Sequence, residues 1–318
     1  MIGLLRQYVA PILRLNPADV TFARRGFNNS SGAARTRLEQ AGLAFATGYN
    51  AALETDATER LVSTLDSTDL ERRGFAYEGA AMASSLLDRL LPLRGGRWRR
   101  LLEGGGSAHV YMLHVGYGWA LARLRRRIPD ALRGLDTLLC WLAGDGYGFH
   151  EGYFHWRSTV IQRARPGRVT GYARRAFDQG LGRSLWFVDC ADVDRLAVTV
   201  AAFPPDRRSD LWSGVGLAAA YAGAASADEL TALRCSAGEH GVSLAQGAAF
   251  AAKARSLAGN PAAPTELACQ LLCGLSADAA AQLTDDALLA TVNGGYEPRY
   301  ENWRRQIRAR LTRLATMA

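Results

Sequence analysis

The 318-residue sequence contains 48% hydrophobic and 21% charged residues and has a formal net charge of +8. This balance is typical of a protein with a buried core, and it excludes a disordered chain or a collagen. The sequence also lacks an apolar run of the ~18 residues that a membrane-spanning helix needs.

The positive charge comes almost entirely from arginine, since Lys253 is the only lysine among the 38 basic residues. We interpret this imbalance as an effect of a GC-rich genome, because no zinc finger, RNA-recognition or homeodomain pattern accompanies it. We therefore predict no nucleic-acid partner. The five scattered cysteines favour a reducing compartment, and residues 1–15 form a short amphipathic segment rather than an export signal. Both features favour a cytoplasmic location, and membrane binding is not expected.

The first third of the chain is predicted to be mostly helical. Residues 1–30 are interpreted as a helix, a proline-containing break and a polar loop, and a helical spacing of apolar residues begins at Ala33. Residues 53–70 are predicted to be turns and helix caps. A strongly apolar helix is predicted over residues 74–88.

Helices continue to the end of the sequence. One is predicted over residues 110–124 and another over 132–143, with the glycines of 144–148 forming a turn after it. Strand patterns are almost absent, so the predicted fold class is all-α. The remaining predicted helices are 172–190, 193–203, 210–222, 227–235, 244–257, 265–275, 277–292 and 300–317, with Gly294-Gly295 as the last break.

A short motif recurs along most of this helical pattern: an apolar residue, two variable residues and then glycine. Its eight copies lie at residues 45–48, 76–79, 113–116, 149–152, 177–180, 211–214, 244–247 and 271–274. A period of 27–37 residues is the length of one helix–turn–helix unit. We therefore predict an array of antiparallel helical hairpins, as in an α-solenoid or an α/α toroid. It would form a single domain over 1–318, with an N-terminal helix and loop (1–30), the array (33–275) and C-terminal capping helices (277–318).

Glycine inside a helix costs about 1 kcal/mol relative to alanine, so the repeated glycines predict close contact between neighbouring helices. The residue before each glycine is polar in most copies. Equivalent positions of stacked units face the same surface, so these side chains are predicted to line a shared, otherwise apolar pocket. The alternative is that each one only braces the backbone of its neighbour. The residues before the eight glycines are Thr47, Glu78, Val115, Glu151, Gln179, Ser213, Gln246 and Cys273. Of these, the predicted lining of the pocket is Glu78, Glu151, Gln179, Ser213 and Gln246.

Two glutamates of this set are candidates for proton transfer. If Glu78 and Glu151 met in the pocket, they would share a proton and act as general acid and base; the alternative is that arginines neutralise each of them. His114 and His150, each two residues before a repeat glycine, complete the predicted catalytic set. The predicted substrate-binding residues are Tyr77, Tyr117, Tyr153, His155, Gln179, Trp212, Ser213 and Gln246.

A metal site is considered and not predicted. His150 and His155 flank Glu151, but they are five residues apart, whereas two ligands on one helical face require a spacing of four. Neither a nucleophilic-serine motif nor a phosphate-binding loop occurs in the sequence. We predict neither a metal nor another cofactor.

Several longer stretches are similar to a known family. The segments RGFAYEGAAM (73–82), HVYMLHVGYGWA (109–120) and DGYGFHEGYFH (145–155) resemble the bacterial family DUF1702, as do segments 177–187, 210–217 and 244–250. Members of this family look like the UnbL-type protein encoded beside enediyne polyketide synthases. The resemblance implies an accessory role in enediyne biosynthesis, whose precursor is a conjugated polyene, but it supplies no catalytic residues.

These observations lead to two hypotheses about function. In the first, the protein binds a linear polyene or polyketide intermediate in the apolar pocket and catalyses proton transfer or cyclisation there. In the second, it is a non-catalytic helical-repeat scaffold that holds other enediyne biosynthetic proteins, with its arginine-rich segments as docking surfaces. Attachment to a membrane surface through residues 1–15 is a third, weaker alternative.

Overall fold

The computed structural model describes residues 2–29, 32–91, 95–291 and 298–317, with the backbone alone for 2–7 and 317. These residues contain seventeen α-helices and no β-strand, which confirms the predicted all-α class. The predicted break at Gly294-Gly295 lies outside the described residues. Among the described helices, none combines the length and apolar character needed to cross a membrane.

The helices vary in length from a single turn to 23 residues. In chain order they are α1 Ile2–Leu13, α2 Phe22–Arg25, α3 Gly32–Glu54, α4 Thr58–Asp66, α5 Arg73–Leu90, α6 Arg97–Glu103, α7 Val110–Arg123, α8 Ile128–Ala131, α9 Cys140–Phe154, α10 Ala173–Val188, α11 Val193–Ala201, α12 Pro205–Ala222, α13 Ala227–Ala237, α14 Gly241–Ala258, α15 Ala263–Cys273, α16 Ala277–Leu289 and α17 Arg299–Met317.

Seven of these helices form the centre of the molecule. Helices α3, α5, α7, α9, α10, α12 and α14 pack side by side in chain order, each against the next. Most of the others are shorter and pack on the outside of this series, while α17 lies against α14 and α16. The buried hydrophobic side chains form one cluster that extends from Phe22 to Leu311. The single-domain boundaries and the equivalence of the repeats stay predictions.

Glycines lie where neighbouring central helices cross. A Cβ added to Gly180 of α10 would overlap the carbonyl oxygen of Asp145 in α9, and one added to Gly148 would overlap that of Phe177 in α10. Glycine therefore lets one backbone touch the next, which offsets its low helix propensity. Reciprocal pairs of the same kind are Gly48/Gly79, Gly118/Gly146, Gly182/Gly214 and Gly216/Gly247.

The structure changes the assignment of two predicted repeat glycines. In α9 the crossing glycines are Gly146 and Gly148, whereas a Cβ on Gly152 would meet the side chain of Ser184. Gly274 follows the last residue of α15 in the left-handed region, with φ 70°, and so ends a helix. The polar residue beside the first crossing glycine of α9 is therefore Asp145, not Glu151.

Three predicted segments of secondary structure are wrong. Residues 144–148 lie within α9 instead of forming a turn, because their glycines serve helix packing rather than helix termination. The helix predicted over 132–143 begins only at Cys140. Residues 58–66, predicted to be turns, form α4, whose Leu61 and Leu65 are buried.

The two ends of the central series also meet. The ring of Phe75 in α5 packs edge-on against Tyr221 in α12, with 5.2 Å between the centroids. Gly74 leaves room for the Tyr221 hydroxyl, which a Cβ there would overlap. Arg255 of α14 donates to the carbonyl oxygen of Glu71 at 3.2 Å, and Arg37 of α3 donates to that of Ala222 at 2.9 Å. The central helices therefore surround an interior instead of forming an open row.

Candidate functional site

Three charged side chains from three central helices meet in this interior. Arg183 of α10 donates a hydrogen bond to Asp145 of α9, and its other terminal nitrogen lies 3.9 Å from an oxygen of Glu78 in α5. All three side chains are almost completely buried. Glu78 and Asp145 each precede a crossing glycine, and Arg183 follows Gly182, so the close helix packing brings the three together. We call Glu78, Asp145 and Arg183 the central triad.

The triad lies between two cavities. The first cavity encloses about 470 Å³ of empty space, counting its mouth, and is lined by Asp145 and Arg183 among mostly apolar residues. The second encloses about 410 Å³ on the same measure and is lined by Glu78 and Arg183. Arg183 thus borders both cavities, while each carboxylate borders only one.

Apolar and aromatic side chains make up most of the walls of both cavities. Around the first cavity are Tyr111, Met112, Val115, Leu142, Leu217, Tyr221, Phe250, Ala254 and Trp303, together with Lys253. Around the second are Val20, Ala41, Gly42, Phe45, Phe75, Trp119, Phe149, Tyr153, Phe154 and Phe187. Such walls with a few convergent polar groups are typical of a site for an apolar small molecule.

Several buried polar atoms around the triad make no hydrogen bond of good geometry with the described residues, although Trp119 lies near enough to Glu78, and Asn260 near enough to Tyr221, to interact as a hydrogen-bonding neighbour. These atoms are one oxygen of Glu78, Nε of Arg183, Nε1 of Trp119 and the hydroxyl of Tyr221. Buried polar groups are nearly always hydrogen-bonded. Unsatisfied hydrogen-bonding groups around the central triad therefore indicate a place where a ligand or water makes the missing hydrogen bonds.

Burial changes the acid–base behaviour of Glu78. Desolvation raises the pKa of its carboxyl from 4.5 to about 7, because the attraction of Arg183 compensates only in part and the charge of Asp145 adds to the rise. A carboxyl group with a pKa near neutral can both give and take a proton at physiological pH. Glu78 is therefore the group of the triad best suited to proton transfer.

Further hydrogen bonds hold the triad in place. Gln179 donates to Asp145 at 2.7 Å and to the hydroxyl of Tyr300 at 3.0 Å. Ser213 donates to Gln246 at 3.0 Å, and Gln246 accepts from Arg304 at 3.2 Å. These polar residues, which also precede crossing glycines, thus brace their neighbours instead of lining a cavity.

The other predicted substrate-binding residues lie in different places. Tyr153 lines the second cavity, and its hydroxyl donates to Val20 O. Tyr77 lies away from both cavities, with its hydroxyl bonded to Asp66 and its ring stacked on His109. Tyr117 contacts Trp98 and Arg89, and Trp212 is buried on α12.

The predicted catalytic histidines and Glu151 do not join Glu78. His114 bonds to Val110 O and packs against Trp98. Glu151 lies with His150 and His155 at the end of α9. The carboxylate that neighbours Glu78 through Arg183 is Asp145, which the repeat pattern does not predict.

Comparison with known proteins gives one match. The sequence model of the family described as "Protein of unknown function (DUF1702)" matches residues 1–311. Among curated proteins and among solved structures, nothing matches.

Proposed function

Since the chain belongs to the DUF1702 family, and its sequence resembles the UnbL-type proteins of enediyne clusters, we propose that it binds a linear conjugated polyene or polyketide intermediate in the two cavities and transfers protons to it through Glu78. The observation that carries this proposal is the position of the central triad between two apolar cavities that meet at Arg183. An extended apolar chain that occupied both cavities would pass the only acidic side chains in their walls.

The walls suit such a ligand. Conjugated carbon chains are flat and polarisable, and aromatic side chains offer large apolar faces for them. The free room inside each cavity is that of a few water molecules, so a bound chain has to widen both cavities by moving side chains of their walls. Arg183 lies 4.9 Å from the centre of the Phe149 ring, so it can also face the π-system of a bound chain as a cation.

The chemistry would be a shift of double bonds. The neutral carboxyl of Glu78 gives its proton to one carbon of the polyene, and the positive charge then spreads along the conjugated chain. A carboxylate takes a proton from another carbon, either directly or after ring closure, so that no atoms or electrons are gained or lost overall. The Asp145 carboxylate, which is paired with Arg183, lies beside this path and offsets the positive charge of the intermediate.

Binding is tested by titrating the purified protein with a linear heptaene and following its absorbance and the quenching of tryptophan fluorescence. We expect a saturable change with one ligand per chain, since Trp119 and Trp303 both line the site. Leu217→Trp, which fills part of the first cavity, should lower the affinity at least about tenfold. Leu289→Trp, at a position that is 86% exposed, is the matched control and should bind like the wild type.

Proton transfer is tested separately by incubating the complex in D₂O and measuring deuterium in the recovered polyene. Glu78→Gln should keep binding but lower deuterium uptake by about 100-fold or more, the usual contribution of a general acid–base group. Glu239→Gln, whose side chain is 87% exposed, should have no effect. Absence of saturable heptaene binding by the wild type would reject the proposal and favour the scaffold hypothesis, which capture of the neighbouring synthase proteins would then test.

A further inference from the structure

A second cluster of ionisable groups lies at the end of α9, apart from the central triad. The Nδ1 atoms of His150 and His155 lie 3.2 Å and 3.6 Å from the same oxygen of Glu151. One possible ligand atom from each of the three residues lies within 4.8 Å of the others. Two imidazole nitrogens and one carboxylate oxygen therefore converge on one point.

These separations match those of a metal centre. Zinc binds imidazole nitrogen and carboxylate oxygen at about 2.0–2.2 Å in a tetrahedral arrangement. Two ligand atoms of such a tetrahedron are then about 3.3 Å apart. The separations of 3.2 Å and 3.6 Å agree with two edges of that tetrahedron. The third separation, between the two imidazoles, is within 4.8 Å, so a bound ion would draw the two rings together.

The end of the helix explains why the sequence spacing is misleading. Two histidines five residues apart cannot share a face of a continuous α-helix. However, α9 ends at Phe154, and His155 has left helical geometry with φ −124°. Glu151 and His155 are four residues apart and so are neighbours on one helical face, and the ring of His155 lies near the same Glu151 oxygen as the adjacent His150. A π-helical turn, Arg157–Ile161, follows directly, and such turns are frequent at functional sites.

The surroundings fix one ligand and leave another accessible. His150 is buried, and its ring packs against Trp119 and Phe154, which line the second cavity. The side chain of His155 is 52% exposed, so an ion can enter from solvent. Arg123 lies near enough to act on His150 electrostatically and opposes a cation. The charge of Glu151 and the negative end of the α9 dipole act in the opposite direction.

We propose that His150, Glu151 and His155 bind one divalent transition-metal ion of the zinc class. A set of two histidines and one carboxylate suits Zn²⁺ or Fe²⁺ better than Mg²⁺ or Ca²⁺, which prefer oxygen ligands. Three protein ligands also leave a coordination position open, as in catalytic rather than structural zinc sites. The site does not depend on polyene binding.

The test uses the full-length protein after dialysis against a chelator. We expect isothermal titration to show one Zn²⁺ bound per chain, with no binding of Mg²⁺ under the same conditions. Bound Co²⁺ should give the visible absorbance of a site with nitrogen ligands. His155→Ala and Glu151→Gln should each weaken zinc binding by at least about 100-fold, the upper end of what the loss of a mere supporting residue costs.

The chain offers a matched control. His240 and Glu239 are also adjacent, with Nε2 and a carboxylate oxygen 3.7 Å apart, but they belong to no three-residue cluster among the described residues. His240→Ala should leave zinc binding unchanged. His155 is exposed, so its replacement should not disturb folding, which circular dichroism checks. The proposal is overturned if the wild type binds no zinc, if His155→Ala and Glu151→Gln bind it as the wild type does, or if His240→Ala abolishes binding.

Discussion

Arg183 lies between the two buried carboxyl groups of Asp145 and Glu78, and it interacts with them unequally. Asp145 accepts hydrogen bonds from Arg183 and from Gln179, whereas Glu78 lies 3.9 Å from the guanidinium and keeps one oxygen without a hydrogen bond. A buried carboxylate that lacks such bonds favours its neutral form. Asp145 thus balances the charge of Arg183, and Glu78 is left as the group that carries a proton.

This arrangement makes the stability of the protein depend on pH. The pKa of Glu78 is raised from 4.5 to about 7 by burial, so the folded protein holds a proton that the unfolded chain has already lost. The contribution of this carboxyl to stability is complete below pH 4.5 and is lost as the pH rises through about 7. We expect the urea midpoint of the wild type to fall between about pH 5 and about pH 8, and Glu78→Gln to flatten that slope.

Asp189 provides the control for this experiment. Burial raises the pKa of its carboxyl to about 6, and Asp189 lies at the end of α10, away from the cavities. Asp189→Asn should flatten the lower part of the pH range and leave the fall near pH 7 in place. An unchanged slope near pH 7 in Glu78→Gln would show that Glu78 is already charged in the folded protein.

Only part of this triad could be predicted from the sequence. Glu78 is predictable because it is a polar residue before a repeat glycine in an apolar helix. Asp145 also precedes a crossing glycine in α9, but three glycines within Gly144–Gly148 resemble a turn, so the pattern favours the copy that ends at Gly152. Arg183 gives no signal, because one arginine in a chain with 38 basic residues looks like a surface residue.

At the scale of the element, glycine has two opposite roles in this chain. At Gly247 of α14 a Cβ would overlap the carbonyl oxygen of Ser213 in α12. At Gly241, in the first turn of the same helix, a Cβ would meet nothing within 4 Å, and the backbone has helical angles of φ −53° and ψ −37°. Substitutions at these two positions therefore test close helix packing and helix propensity separately.

Alanine substitution should therefore have opposite effects at these two positions. Gly247→Ala forces two backbones apart and should lower the free energy of unfolding by about 3 kcal/mol or more, since helix backbones adjust less than side chains. Gly241→Ala should raise it by about 0.5–1 kcal/mol, because alanine favours the helix and restricts the unfolded chain. Urea unfolding followed by circular dichroism measures both. Similar effects of the two substitutions would contradict the close-packing role of Gly247.

The two roles of glycine also limit how well the helices can be predicted from the sequence. Most helices could be predicted because apolar residues recur with helical spacing and prolines or single glycines separate them. The middle of α9, residues 144–148, could not, since a glycine in a tight helix crossing and a glycine in a turn look alike in the sequence. Which of the two applies depends on the neighbouring helix, as with Phe177 O and Gly148.

At the scale of the whole molecule, the interior exists because distant parts of the chain meet. Arg255 of α14 is buried and donates to the carbonyl oxygens of Glu71, Asn260 and Tyr221. Its guanidinium also lies 4.2 Å from the centre of the Tyr221 ring. One side chain thus links α14, α12 and the segment before α5. Sequence periodicity predicts which helices are neighbours along the chain, but it contains no information about this long-range closure.

The contacts that join the two ends of the central helix series should make unfolding cooperative across the chain. In an open array each unit contacts only its neighbours, so the ends can unfold independently. Arg255→Met leaves three carbonyl oxygens, two of them buried, without this donor and should cost roughly 3 kcal/mol or more. In hydrogen-exchange mass spectrometry we expect faster exchange in both α5 and α14, although the substitution lies in only one of them. Arg313→Met, an exposed residue of α17 that donates to Ala309 O in its own helix, should leave both unchanged. If exchange increases in α14 alone, Arg255 holds only its own helix, and the contacts of Phe75 with Tyr221 and of Arg37 with Ala222 O are then the links that can keep the two cavities closed.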